Sequence, residues 1–436
     1  MRRVRVGEIV DATTAFTGAA VAGVTLFLPV TVSAQSQSTS YRIAGLLNSV
    51  PRSAALGVIV AVAVAVLVST TARPLTGWAT ATAAAVAQLI NHFAGRQAST
   101  AEMLTTQNYI DSVCAAILLG GLGAVVLRRP LPGAAFAVGG VGFFGFGDLA
   151  ELLNINVDVY AVLETPTRWM LGAALALLMI STLHNWKRTE EEPKTPRMAI
   201  ALPVTPILAA MVLALVVLAG TEWLGRQYSK LPAESHVVEI VIVVAATIVS
   251  ATAAAMLLPG RDGTGVYLAV SLTAAVDAVG YAVRPGWTSA VLIALTAAGL
   301  AIGARMPSAA LAILLLAGIT VFAIVTSTSA GTVAFAVISG VIALTAGYCC
   351  GTARPHYAPS GVLAIAALYL PSAVSVMPDK FKDWREDVAV HDATPGRTAL
   401  AIVIGSAIGL VVLRKFRPRS KRRAKGQSES ESLADI

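Results

Sequence analysis

Apolar residues along the chain come in long blocks, without the short alternation of strands or the narrow stripe of surface helices. The blocks lie near residues 12–34, 54–72, 75–93, 109–127, 131–147, 168–184, 198–220, 237–258, 265–283, 287–303, 307–326, 331–350, 360–377 and 398–413, separated by short polar stretches. Most approach the roughly 20 residues that a helix needs to cross a hydrocarbon layer of about 30 Å. Inside lipid, a helix satisfies its own backbone hydrogen bonds, whereas an open strand or loop does not. The pattern predicts an all-α, polytopic integral membrane protein with about 14 transmembrane helices.

Composition agrees with lipid as the main solvent. Of 436 residues, 56% are hydrophobic and 13% charged, and mean hydropathy is +0.74. That charged share is about half the roughly 25% of soluble domains. Lys and Arg set the orientation. With the N-terminus inside, 21 of the 32 basic residues fall in cytoplasmic segments, eight of them in the tail 414–425. Both termini are then expected in the cytoplasm and the chain in the plasma (inner) membrane. Arg2, Arg3 and Arg5, followed by an apolar run and Val32-Ser33-Ala34, resemble a signal peptide. The run is long for one, so a retained helix is expected. Cys114, Cys349 and Cys350 all lie in apolar blocks, and no CxxC or HxxxH spacing occurs. No disulfide framework, metal site or cofactor is therefore expected.

Two stretches repeat. RPLTGWATATAAAVAQLINHFAGR, from Arg73, aligns with RDGTGVYLAVSLTAAVDAVGYAVR, from Arg261. Arg73 and Gly77 meet Arg261 and Gly265. Farther on, Pro132-Gly133-Ala134-Ala135 meets Pro307-Ser308-Ala309-Ala310. The implied step is six helices. An even step keeps both copies in one orientation, which gives a parallel repeat about an axis normal to the membrane. The expected division is a first six-helix bundle (1–185), a charged cytoplasmic linker (186–197), a second six-helix bundle (198–352), an extra helix pair (353–413) and a basic, then polar, tail (414–436).

The layout is 6+6+2, and its first twelve helices, with an Arg/Gly turn between the second and third helices of each half, resemble the major facilitator superfamily, whereas the extra pair at the C-terminus favours the flippase layout described next. Gly260-Arg261-Asp262-Gly263 echoes the loop motif of that superfamily, and the Gly-rich fifth block, Gly139 to Gly147, is similar to its antiporter motif without the Gly-Pro. The polysaccharide and oligosaccharidyl-lipid flippases are a second resemblance. They also pair two six-helix halves, and some add two C-terminal helices. Either resemblance implies a transporter whose halves rock about a central site.

Candidate chemistry is sparse. Asp277, deep in the ninth block, is costly in lipid unless paired or wet. It either faces a cavity or partner, or drifts to the interface beside Arg284. Glu239 lies one turn from His236 at the start of the eighth block, where a carboxylate also suits a helix N-terminus. His92 closes the third block, either as a proton shuttle or as an interfacial side chain. Asp277, Glu239, His236 and His92 are thus the candidate proton relay. At the outer face, Asp148 and Glu151 are candidates to receive a cationic group or to form a solvated rim. Arg168 is a candidate to hold an anionic head group or to anchor its helix. Gly140-Val141-Gly142-Phe143-Phe144-Gly145 spells GxGxxG, but it has no preceding strand and therefore reads as close helix packing or a hinge for rocking.

The expected function is secondary transport, with optional proton coupling, of an amphipathic or lipid-linked cargo by an exporter or flippase. No enzymatic activity is expected. The alternatives are a non-catalytic subunit scaffolding a cell-envelope or secretion complex and a polyprenyl-dependent glycosyltransferase. The partners expected are the lipid bilayer, that cargo and, under the scaffold alternative, envelope-complex subunits, with no nucleic acid. The Ala/Val/Gly/Arg bias fits a bacterial source.

Overall fold

The computed structural model describes residues 6–26, 41–71, 73–94, 101–142, 166–188, 204–230, 236–280, 288–326, 332–377 and 393–417. Among them are fourteen α-helices and no strand, one helix in each apolar block. In chain order these are α1 (Val6–Leu26), α2 (Tyr41–Thr70), α3 (Pro74–Ala94), α4 (Ala101–Val126), α5 (Pro130–Gly142), α6 (Arg168–Arg188) and α7 (Thr205–Lys230). They continue with α8 (Val237–Leu257), α9 (Thr264–Val279), α10 (Thr288–Arg305), α11 (Ala309–Val325), α12 (Thr332–Ala353), α13 (Ala358–Ala366) and α14 (Thr394–Phe416). Two 3-10 turns, Ala367–Tyr369 and Ala373–Val376, extend α13. Among the described residues, ten helical segments are long and apolar enough to cross a membrane, and α5, α9 and α11 are shorter apolar helices. The chain is a multi-pass membrane protein.

Helix edges depart from the apolar blocks where polar residues find partners. The first helix begins at Val6, not near residue 12, so Glu8 and Asp11 lie inside it. Glu8 sits in the first turn, where a carboxylate opposes the positive end of the helix dipole. Asp11 is paired, as described below. Likewise α7 runs on to Lys230 and carries Glu222 and Arg226 with it.

Small residues let the helices approach. In α10, Gly299 and Gly303 face Gly347 and Gly351 of α12. A Cβ on any of the four would land on a backbone carbonyl of the opposite helix. This is the small-xxx-small contact of membrane bundles, present on both partners. Gly120 of α4 meets the carbonyl of Ala61 in α2 in the same manner.

The principal packed pairs recur in the chain. In the first six helices these are α2 on α4, α1 on α5, α3 on α4, α1 on α4, α3 on α6 and α1 on α6. Their counterparts are α10 on α12, α9 on α13, α11 on α12, α9 on α12, α11 on α14 and α9 on α14, all of them packed pairs. The step is eight helices. At the six-helix step of the Arg73/Arg261 alignment, α2·α4, α1·α5 and α3·α4 would become α8·α10, α7·α11 and α9·α10. None of these three is an extensive contact among the described residues. One feature breaks the eight-step pattern, because α9 packs on α11 while α1 has no comparable contact with α3 among the described residues. The connections show the same spacing: Arg73, before α3, corresponds to Arg305, the last residue of α10, and Arg129, before α5, to Arg354, before α13. Helices α7 and α8 form a hairpin between the two sets, α7 against α2 and α8 against α14 and α9.

Candidate functional site

The seam between α1–α6 and α9–α14 is built by α2 and α4 against α13, and by α5 against α10 and α12. Gly123 of α4 opens space for Val362, beside Phe136, and Gly361 opens space for Leu127. Farther along, Gly140 of α5 lies against Ile365, and the buried Tyr369 hydroxyl donates to the Gly140 carbonyl at 2.8 Å. Glycines at 123, 140 and 361 are thus points of close approach between the two sets. The first glycine of the GxGxxG string acts in this helix packing. The end of that string, Phe143, Phe144 and Gly145, lies outside the described residues. These seam residues carry no charge.

A charged cluster lies at the end of the bundle that holds the Arg-bearing turns. Asp11 of α1 has no exposed surface, and its carboxylate accepts from Arg129 Nη1 at 2.8 Å and from the Asn185 amide at 3.0 Å. The Thr14 and Ser181 hydroxyls meet at 2.8 Å one turn deeper. Asp11 is thus more deeply buried than Asp277. Sequence reading placed Asp11 just outside the first block and counted Arg129 only as a topology signal, so it missed the pair.

Across the same end, Asp262 is 3% exposed and accepts from the backbone N–H groups of His356 and Tyr357, each at 3.0 Å. It thereby caps the entry to α13. Arg261 Nε donates to the Arg417 carbonyl at 3.1 Å, and the Arg417 guanidinium donates to the carbonyls of Met256, Leu258 and Gly260 at the end of α8. The matched turn residue Arg73 is exposed. Gly77 packs against α4 at Gly121 and Val125, whereas Gly265 packs against Ala364 of α13 and Ala353 of α12. Both glycines permit close approach, each against a different neighbour.

The remaining candidates lie toward the opposite end. Asp277, 6% exposed in the last turn of α9, accepts from the Ser372 hydroxyl, which also caps the second 3-10 turn. His236 precedes α8, is 8% exposed and packs edge-on against Tyr228 with ring centroids 4.7 Å apart. Glu239 lies in the first turn of α8 and is half-buried. Asp148 and Glu151 lie outside the described residues. Arg168 opens α6 with its guanidinium over the Phe93 ring, 5.8 Å from the centroid.

His92 is buried beside a carboxylate that sequence reading did not single out. Its Nδ1 lies 3.4 Å from Asp111 Oδ2 of α4, and its Nε2 lies 3.1 Å from the carbonyl of Pro166, just before α6. The side chains are 3% and 15% exposed. One turn away on α3, Gln88 donates to Thr25 at 2.8 Å, and Asn108 on α4 donates to Ser49 and Ser53 of α2. The signal for Asp111 was its place near the start of the fourth apolar block. Among the described residues, no group of three His, Cys, Asp or Glu side chains gathers in a way that would hold a metal.

No protein-family model matches the sequence, and no curated protein matches it. Three solved structures are similar over nearly the whole chain. Tetrameric PepTSo2 shares 13% identity over 95% of this chain and 98% of its own, with a TM-score of 0.43. The major facilitator superfamily transporter FucP, in the outward conformation, shares 13% over 93% and 98%, with a TM-score of 0.36. The human organic anion transporter MFSD10 (TETRAN) shares 14% over 93% and 99%, with a TM-score of 0.33.

Proposed function

We propose that the protein is a membrane transporter in which α1–α6 and α9–α14 rock against each other, with α7–α8 as an inserted pair. The observation that carries this reading is the recurrence of the packed pairs at a step of eight helices, with the two sets meeting along α2/α13 and α5/α10. Parallel repeats facing one another across a seam are the architecture of alternating access. An uncharged seam favours an amphipathic or lipid-linked cargo over a sugar or an ion, since a polar solute needs buried polar partners. An exporter or flippase role in the plasma membrane, with both termini cytoplasmic, fits the bias of basic residues. Proton coupling fits the buried ionisable groups.

A reversible lock tests the reading. Leu127 at the end of α4 and Gly361 in α13 touch across the seam at the Arg-bearing end. Cysteines at both positions, with Cys114, Cys349 and Cys350 replaced by Ser, are expected to form a disulfide on oxidation. Flux of a fluorescent amphipathic cation or an NBD-phospholipid across proteoliposomes should stop on oxidation and return with reductant. Flux that persists through complete crosslinking would refute rocking at this seam, and absence of flux for both probes in the reduced protein would refute the cargo class.

A further inference from the structure

We propose that His92 and Asp111 form a binding site for one proton, buried between α3, α4 and the segment entering α6. Donors and acceptors do not balance in the pair without it. A neutral imidazole has one N–H and one lone pair. The Pro166 carbonyl at Nε2 can only accept, and so can an ionised Asp111 carboxylate at Nδ1. Whichever nitrogen carries the hydrogen, the other directs a lone pair at an acceptor. Neither His92 Nδ1 nor Asp111 Oδ1 has a hydrogen-bond partner, although both atoms are buried.

One added proton removes the conflict. Placed on the ring, it gives an imidazolium that donates to both the carboxylate and the carbonyl. Placed on Asp111, it gives a carboxylic acid that donates to Nδ1 while Nε2–H serves Pro166. Either arrangement is neutral as a pair, whereas the proton-free pair holds a net negative charge within a membrane-spanning bundle. Among the described residues, Cys114, one turn along α4, is a titratable neighbour of Asp111, and Arg168 at the start of α6 stands over the ring of Phe93, next to His92 in the chain. From α1 the nearest contribution is the uncharged Thr25, bonded to Gln88.

Asp111, the more exposed partner, offers the exit. The use of this proton to drive transport rests on the reading above, but the site itself does not.

The test is nitrogen NMR of the full chain in bilayers, with 15N-histidine and the His92 signals assigned by difference against His92→Gln. Between pH 8 and pH 5, wild-type His92 should change in one step involving Nδ1. Asp111→Asn supplies an amide N–H to Nδ1 without any proton, so His92 should remain the single Nε2–H tautomer throughout that range. The proposal is overturned if wild-type His92 shows no step, or if it steps identically in Asp111→Asn. Should Asp111→Asn fail to fold, the wild-type spectrum still decides, because a neutral ring with hydrogen on Nδ1 at every pH refutes the site. A site that titrates as described, with dye flux indifferent to a pH gradient, supports the site and refutes only the coupling role.

Discussion

Replacing Arg129 with Met is expected to be the most damaging single charge deletion in the bundle. Asp11 has no exposed surface, and its two carboxylate oxygens are held by Arg129 at 2.8 Å and by Asn185 at 3.0 Å. Removing the guanidinium leaves a buried anion with one neutral donor. Breaking a buried pair from one side costs about 3–5 kcal/mol. The Arg129 side chain is 27% exposed, so part of the pair's field already reaches solvent, and the Asn185 bond survives. The lower end, about 3 kcal/mol, is therefore expected. The assay is reversible unfolding of the purified chain in mixed micelles of SDS and mild detergent. Asp11→Asn with Arg129→Met removes both charges together, and should recover about 2 kcal/mol of the loss, within the range of couplings between touching residues. A loss below about 1 kcal/mol in Arg129→Met, or a double variant as unstable as the sum of the singles, would refute the claim that the pair is buried and mutually dependent.

Three other substitutions probe separate contacts. Gly347→Leu drives a side chain into the Thr296 carbonyl of α10 and should cost at least about 1–3 kcal/mol by overpacking in the same unfolding assay, while Gly172→Ala, with nothing within 4 Å, should be silent. Asp262→Ala strands the N–H groups of His356 and Tyr357, so a loss of about 1–3 kcal/mol is expected together with faster amide exchange at the start of α13. Glu222→Gln breaks the two-point contact with Arg52, at 2.5 and 3.1 Å, but Arg52 is 53% exposed. Its cost should stay within roughly 0–1 kcal/mol, and a loss above that would show that the ion pair ties α2 to α7 more firmly than its exposure allows.

Helix number and class were legible because they depend on run length and hydropathy, and every apolar block contains a helix. Partners were less legible because the paired groups lie far apart in the chain. Asp11 and Arg129 are 118 residues apart, and Asp262 meets residues 94 and 95 positions away. Neither pair has a local spacing that marks it. His92 and Asp111 are closer, on consecutive helices, yet their contact depends on how α3 and α4 rotate about their axes. That rotation is set by Gly77 and Gly121, where the two backbones touch.

Turns on one side of a membrane bundle resemble one another, which limits what a match between two of them can show. Arg73, Arg129, Arg261 and Arg354 stand between helices and Arg305 ends α10, all at one end of the bundle. Any two such turns look alike, because a short Arg-, Pro- or Gly-bearing connection is what that side of a membrane selects. The match of Arg73 to Arg261 therefore identifies two turns on one side and leaves open which turn is cognate to which. Packed pairs are more discriminating, because each helix must find several particular neighbours at once. Counted by packed pairs, Arg73 corresponds to Arg305, two helices beyond Arg261, with α7 and α8 between the two sets. Six and eight are both even, so a repeat of either step would hold its two copies in the same orientation. What changes is the seam. With a step of six, α13 would be an accessory helix outside the repeat. With eight it pairs with α5, and its Tyr369 reaches Gly140 across the contact between the two sets.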